Sequence, residues 1–379
     1  MKPILPGSTI GLLGGGQLGR MFAIAARKMG YRVHTFEPVQ DSPTGQISDR
    51  EFNSRYDDTD ALLEFARDVQ VVTYEFENIP IETLDELSNH VVLRPNRELL
   101  YVCQNRRREK EFLAKHGFPL PPFRVVESEE ELRQAVEELG CPCVLKTADF
   151  GYDGKGQQKI TSPDQVAEVW AQHQLPAGVL ESWVDYEAEV SVIVGRGYDG
   201  ETRFFPMARN EHENHILAVS EAPCGLPDEI EAKGQEIAEE IARSSHLVGV
   251  LAVEMFLTRG GELLVNELAP RPHNSGHYSF DACLCSQFEQ QLRAVCGLPL
   301  GDTRLLSPVL MHNLLGDVWL DGNPDWASLL KLPGLKLHIY GKSEPRHGRK
   351  MGHYCILGAS SDKVRQIDAE AQLLLQNRK

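Results

Sequence analysis

The 379-residue chain lacks most of what would tie it to a membrane, an oxidising compartment or a polyanion. It has no uninterrupted apolar run of about 18 residues, the length a helix needs to cross a bilayer, so no membrane span is expected. The stretch from Met1 to Thr9 has no basic region followed by a long apolar one, so no secretory signal is expected either. Cysteine is sparse, with eight in all, and the close pairs Cys141/Cys143 and Cys283/Cys285 are spaced C-x-C. That spacing argues against a zinc ribbon and, without a signal, for reduced thiols. Positive charge is in deficit: 39 Lys and Arg against 55 Asp and Glu leave a formal net charge of −16. A broad nucleic-acid or anionic-membrane surface is therefore not expected. There is no internal repeat and no low-complexity segment. These absences describe a cytoplasmic protein, in which any Lys and Arg gathered in glycine-containing loops point to a specific anionic ligand.

What is present suits two or three packed domains: 41% hydrophobic and 25% charged residues. Residues 1–103 alternate short apolar runs (9–13, 32–36, 71–76 and 91–94) with helical stretches (17–29, 61–68 and 82–88). Leu18, Met21, Phe22, Ile24 and Ala25 fall on one side of the first helix. Strand–helix alternation with short connections predicts a Rossmann-like parallel sheet covered by helices. A helix over 104–116 then leads into the proline-rich boundary 117–122. Residues 104–300 mix strands (143–146, 158–160, 190–194, 250–256, 263–267) with helices (129–139, 163–173, 228–245). Their hairpin-like order predicts an antiparallel α+β domain in two parts, 104–180 and 181–300. Residues 301–379 are short strands and Gly/Pro turns, suited to a small β-rich domain.

Several motifs carry chemistry. Gly14, Gly16 and Gly19 spell G-x-G-x-x-G after an apolar run, and Glu37 lies where a dinucleotide's ribose-binding acid belongs. Taken alone, this points to a nicotinamide-dependent oxidoreductase. A second glycine loop, with Gly151, Gly154 and Gly156, sits between two strands. Its backbone N–H groups can approach phosphate oxygens, with Lys155 as a mobile cation and Lys146 at the strand end for a second phosphate. No Ser or Thr follows Lys155 and no helix begins there, so this is not a P-loop; a plain glycine-rich hairpin is the alternative. Farther on, a hairpin turning at Arg259–Gly261 sets Glu254 roughly opposite residues 265–267. Carboxylates interrupting apolar strands need compensation. Oxygen ligands without paired His or Cys suit Mg²⁺, which usually shares its sites with nucleotide phosphates; the alternative is that one glutamate faces solvent.

After that hairpin, Arg271 offers a planar donor for carboxylate or phosphate, and Asn274 and Ser275 add neutral groups. His273 and His277 are four apart, but Pro272 and Gly276 disfavour the helix a zinc pair needs. The extended piece Glu181–Val184 can present backbone groups to an adenine edge, and Glu189 can take ribose hydroxyls; surface acidity is the plainer account. A last basic island, Lys342, Arg346, Arg349 and Lys350, lies in a Gly-rich turn between two short strands. It is either a phosphate site or a solvated hairpin.

Taken together, these residues resemble the ATP-grasp ligases, and within them the family that carboxylates an aminoimidazole ribonucleotide in purine biosynthesis. The resemblance runs along nearly the whole chain. It rests on residues 14–20, 73–78, 104–106, 151–157, 254–256 and 266–277; Phe150 departs from it, where relatives often carry glycine. It implies transfer of a phosphoryl group from ATP to bicarbonate, giving carboxyphosphate, and then carboxylation of 5-aminoimidazole ribonucleotide. It implies ATP contacts at Arg106, Lys146, Gly151, Tyr152, Asp153, Gly154, Lys155, Gly156, Gln157, Glu181, Ser182, Trp183, Val184, Glu189, His212, Asn266 and Glu267. Mg²⁺ would sit on Glu254 and Glu267. Ribonucleotide contacts would come from Gln17, Leu18, Glu75, Tyr152, Arg271, His273, Asn274, Lys342, Arg349 and Lys350. Lys155, Asp153, Arg271 and Asn274 would act in the chemistry, with 150–157 closing as a lid over labile carboxyphosphate. The resemblance further implies a homodimer, no nucleic-acid or membrane partner, and possible hand-off of product to a mutase. On this reading the amides of the first glycine turn receive the ribonucleotide's phosphate, together with the basic island. The rivals are the oxidoreductase, a formate-dependent ribonucleotide transformylase of the same superfamily, and a non-catalytic nucleotide-binding module. The oxidoreductase leaves loop 151–157, both glutamates and the basic island without work.

Overall fold

The computed structural model describes residues 2–148, 156–172, 176–320 and 322–376. The first sheet is parallel, from β1 (Thr9–Leu13), β2 (Arg32–Phe36), β3 (Arg50–Phe52) and β4 (Val71–Tyr74), in the order β3-β2-β1-β4. Helix Gln17–Lys28 buries Leu18, Met21, Phe22 and Ala25 against it, whereas Ile24 is exposed. The buried positions follow i, i+3, i+4, i+7, a stripe that Ile24 misses. The expected strand at 91–94 makes only a bridge, Val72 to Leu93, because Pro95 then offers no N–H to continue a ladder. The fourth strand is instead Arg50–Phe52, too short and too charged to signal itself.

The helix expected over 104–116 is Arg106–Lys115, and a further helix, Arg97–Cys103, precedes it. Each has an asparagine cap: Asn96 accepts the Leu99 N–H at 2.8 Å, and Asn105 accepts the Arg108 N–H at 3.0 Å. A second sheet follows, antiparallel, with β5 (Phe123–Val126), β6 (Cys143–Thr147), β7 (Gln157–Ile160) and β8 (Gly178–Ser182) in the order β5-β8-β6-β7. Helix Glu129–Leu139 covers it.

The third sheet has nine strands: β9 (Tyr186–Arg196), β10 (Thr202–Phe204), β11 (Ala208–Glu213), β12 (Ile216–Ala222), β13 (Gly249–Thr258), β14 (Leu263–Ala269), β15 (Val309–Leu315), β16 (Leu335–Ile339) and β17 (Lys350–Leu357). Their order is β14-β13-β9-β11-β12-β15-β17-β16, with β10 on β9. The β-rich C-terminal segment thus extends the central sheet through the β12–β15 pairing. The last described element is a helix absent from the expectation, Ser361–Gln376, which buries Val364, Ile367, Ala371 and Leu375 beside Leu310, Tyr354 and Ile356.

Candidate active site

All three sheets deliver side chains to one cleft of about 400 Å³. The first contributes Glu75 from the end of β4, with Gln17 and Leu18 on the helix that follows β1; the second Lys146 and Gln157; the third Glu189, His212, Glu254, Asn266, Glu267 and Lys350. Arg106 lines it from a helix start, and Arg271, His273 and Asn274 from the loop after β14. An adjoining cleft of about 420 Å³ shares Gln17 and Glu75 and adds Gly16, Glu37, Lys342 and Arg349. Gly151, Tyr152, Asp153, Gly154 and Lys155, with the lid they were expected to form, lie outside the described residues. Gly156 lies inside them, at φ +75°, where only glycine is unstrained.

Lys146 stands at the end of β6 with its Nζ 3.0 Å from Glu181 Oε2 and 3.4 Å from Asn266 Oδ1. Lys110, fully buried, reaches the same Glu181 oxygen at 3.4 Å and donates to the Asn266 carbonyl at 3.0 Å. Burial, with Arg106 and Lys110 nearby, pulls Lys146 down to about 8 although Glu181 works against it. Burial alone would raise Glu181, but Lys146, Lys110 and Arg106 together hold it below the ordinary carboxylate range. Its side chain is therefore a counter-ion behind the cleft and not a surface acid. Its neighbours' N–H groups are partly committed as well: Ser182 donates to Pro122 at 2.9 Å and Trp183 to Pro142 at 3.1 Å. The Trp183 ring is half-exposed and carries Lys159 Nζ 3.5 Å from its centroid.

Glu254 and Glu267 are register partners across β13 and β14. Burial and the Glu267 charge raise Glu254 to about 7. Arg106 Nη2 lies 3.3 Å from Glu267 Oε2, and His273 Nε2 lies 3.5 Å from Glu254 Oε1. Among the described residues no three His, Cys, Asp or Glu side chains gather into a self-sufficient metal site. Two facing carboxylates, one of them short of compensation, fit a hard cation that fills its shell with phosphate oxygens and water. His212 pairs with Glu189. Burial opposes ionisation of both, yet the pairing lowers the carboxyl and raises the imidazole.

The glycine turn differs from expectation. Gly19 N–H donates to Glu75 Oε2 at 2.9 Å, and Gly16 N–H donates to Glu75 Oε1. The carboxylate at the end of β4 thus occupies part of the positive helix end that a phosphate would use. A pyrophosphate there would meet a negative charge already in place.

Arg271 Nη2 pairs with Glu77 Oε1 at 2.6 Å, and its buried Nε has no partner among the described residues. Both amide atoms of Asn274 are likewise buried without a described partner. Native interiors seldom leave such groups unmatched, so these atoms have hydrogen bonds to offer a ligand of the cleft. His277 is fully buried, and burial followed by His338 drives it to about 3. It stays neutral and inside the fold, and among the described residues no third His, Cys, Asp or Glu gathers with the His273/His277 pair. Glu109, which the sequence hides inside a charged helix, accepts the Leu268 N–H at 2.6 Å; burial and Glu267 raise it to about 8. In the basic island Lys342 donates to the Lys350 carbonyl at 2.7 Å, while exposed Arg346 turns away to Glu344.

An antiparallel sheet carrying a buried lysine, joined to a strand pair with facing glutamates and preceded by a parallel domain, defines an ATP-grasp ligase. The ATP-grasp domain family matches residues 111–288, the ribonucleotide synthetase preATP-grasp domain family 7–104, and the phosphoribosylaminoimidazole carboxylase C-terminal domain family 309–367. N5-carboxyaminoimidazole ribonucleotide synthase of Bacillus subtilis is 48% identical over 95% of this chain and 94% of its own; that of Brucella melitensis is 42% identical over 92% and 96%. The chain belongs to the N5-carboxyaminoimidazole ribonucleotide synthase family. A solved ADP complex of an N5-carboxyaminoimidazole ribonucleotide synthetase superposes with TM-score 0.93, at 45% identity over 98% of both chains. An Aspergillus clavatus synthase complexed with ADP and 5-aminoimidazole ribonucleotide superposes with TM-score 0.89, at 29% identity over 97% and 98%. Among the described residues no helix is long and apolar enough to cross a membrane.

Proposed function

We propose that this protein carboxylates the amine of 5-aminoimidazole ribonucleotide, using ATP and bicarbonate, in purine biosynthesis. The observation that carries the reading is the continuity of two clefts. The first holds Lys146 and the Glu254/Glu267 pair beside Arg271 and Asn274, and the second, sharing Glu75, is edged by Lys342 and Arg349. ATP occupies the first cleft. Val184 at the open end of the β8 segment meets the adenine edge, Glu189 the ribose, and Arg106, Lys146, Gln157 and the 151–157 loop the phosphates. Mg²⁺ on Glu254 and Glu267 would neutralise charge between the phosphates. The terminal phosphoryl group leaves ADP and bonds to a bicarbonate oxygen, giving carboxyphosphate. Arg271 and Asn274 hold that species through their open donors, and Lys155 adds positive charge. The ribonucleotide amine then bonds to the carboxyl carbon as the C–O bond to phosphate breaks, and Asp153 takes the amine proton. Gln17, Leu18, Glu75, Tyr152 and His273 seat the ribonucleotide, whose phosphate lies on Lys342, Arg349 and Lys350. The protein works in the cytoplasm as a homodimer, and its product is suited to hand-off to a mutase.

The test is phosphate release, expected only when ATP, Mg²⁺, bicarbonate and aminoimidazole ribonucleotide are all present. Equal turnover without the ribonucleotide, or with glycinamide ribonucleotide and formate, would refute the assignment.

A further inference from the structure

The turn from Arg271 to His277 carries the guanidinium and amide of the site, yet it leaves β14 through a proline and has no strand partner of its own. Helix Gln287–Val295 lies beneath it with three buried glutamines, Gln287, Gln290 and Gln291. Two of these clamp scaffold. Gln291 accepts from Val250 N–H at 2.6 Å and donates to Thr73 Oγ1 at 2.8 Å, joining the third sheet to the first. Gln290 accepts the Gly301 N–H at 2.8 Å and donates to the Gly301 carbonyl at 3.2 Å.

Gln287 reaches the turn instead. Its Oε1 accepts the His273 N–H at 2.8 Å, its Nε2 donates to the His273 carbonyl at 2.7 Å, and Nε2 also lies 3.3 Å from His277 Nδ1. The paired backbone bonds settle the amide's orientation, because a flip would set donor against donor. With Gln287 donating to Nδ1, the neutral ring of His277 carries its proton on Nε2. Gly276 permits this approach: a Cβ there would lie 2.7 Å from Gln287 Oε1. Ser279 Oγ closes the arrangement, donating to the Gly276 carbonyl at 2.6 Å and accepting the Gln287 N–H at 3.0 Å. Asn274 sits between the two anchored histidines with its amide buried and unmatched among the described residues. An orphaned amide is costly and would relax onto a neighbour unless its backbone were held.

We propose that Gln287 is a positioning residue: it clamps the His273–His277 turn so that the Asn274 amide faces the cleft, poised for an oxygen of the reacting carboxyl species. This rests on the carboxylation reading for its activity assay; Gln287 itself touches no reacting atom.

Gln287→Met is compared with Gln290→Met, a matched loss on the same helix that leaves the turn alone. Both variants are expected to melt earlier by similar amounts. Only Gln287→Met should lose kcat, by about 10²-fold, with the KM for ATP unchanged. Gln287→Glu keeps the side-chain size and the acceptor for His273 N–H but loses both donors; it should lose kcat likewise and covers the case in which Gln287→Met fails to fold. Imidazole ¹⁵N spectra should show His277 as the Nε2–H tautomer in the parent and in Gln290→Met, and altered in Gln287→Glu. The proposal is overturned if the Gln287 variants turn over no more slowly than Gln290→Met, or if the His277 signature is the same in all. A parent protein without ribonucleotide-dependent phosphate release would instead refute the carboxylation reading, and the His277 spectra alone would then decide the clamp.

Discussion

Raising the pH through 8 should weaken ATP binding, and Lys146 is the reason. Its ammonium is buried beside Arg106 and Lys110, and its proton is lost near pH 8 and not near the ordinary 10.5. ATP phosphates favour the charged form, so above that point binding must first take up a proton. About one unit higher, roughly ten in eleven free molecules hold a neutral lysine, and affinity falls about tenfold per unit. The fall levels off once the whole charge-assisted contact is lost, worth about 1.5–3 kcal/mol, or roughly 10- to 150-fold. The same shift acts on the free fold with opposite sign. Between about 8 and 10.5 the unfolded chain binds the proton that the folded chain has shed, so this group's contribution to stability rises with pH there. Calorimetric titration of ATP at fixed Mg²⁺, at about pH 7, 8 and 9, reads the slope. Glu109 gains charge in the same window, so Lys146→Met is the necessary comparison: it keeps Glu109 and should bind weakly with little pH slope. An affinity flat across pH 8 in the parent, or an equal slope in the variant, would refute the reasoning.

Three further outcomes follow from the geometry. Glu267→Gln should cut phosphate release by about 10²-fold or more through weaker Mg²⁺ binding while melting normally, since Glu267 is substantially exposed; near-normal turnover would remove the metal role. Glu181→Gln strands Lys146 and Lys110 without their counter-ion and should cost about 3–5 kcal/mol at neutral pH in urea unfolding. Because Glu181 is held below its ordinary 4.5, its contribution is present above that pH and fades below it, so the parent–variant gap should narrow in acid; a constant gap would contradict the pairing. Gly14→Ala meets both φ +105° and a Cβ 2.5 Å from Glu75 Cγ, and should lose about 1–3 kcal/mol in the same assay; an unchanged midpoint would show that the turn has room.

Legibility in the sequence divided along physical lines. The Glu254/Glu267 hairpin was readable because two apolar runs meet at an Arg-Gly-Gly turn, but the β-bulge between Glu254 and Met255 that sets Glu267 and not Asn266 opposite Glu254 was not. Helix Glu129–Leu139 was readable from its Ser128 cap and apolar stripe. Lys110, Glu109 and Gln287 were not. Lys110 and Glu109 lie in a polar helix that looks solvated and are buried because a distant segment supplies their partners, Asn266 and Leu268, whereas the partner of Gln287 is His273, 14 residues away across an irregular turn. Local pattern cannot report a partner about 156 residues away. Helix Ser361–Gln376 was lost differently, since the short strands and turns before it set the expectation for the whole C-terminal segment.

The glycine turn at residues 14–19 shows why a motif carries less than a site. A tight turn into a helix leaves N–H groups that suit any anion, so the glycines specify backbone shape and a sign of charge but not a ligand. Here the anion is partly internal. Glu75 takes the amides of Gly16 and Gly19, and the absence of side chains at Gly14 and Gly16 is what lets its carboxylate in. Accepting those bonds draws the carboxyl toward ionisation, although burial raises its proton affinity more. A dinucleotide would have to displace this carboxylate, whereas a ribonucleotide whose phosphate lies on Lys342 and Arg349 can approach the same turn through its sugar and leave Glu75 seated. The fingerprint therefore remains a correct signal for a parallel sheet, and Glu75, seated on the amides of Gly16 and Gly19, is the group that any ligand at this turn has to meet.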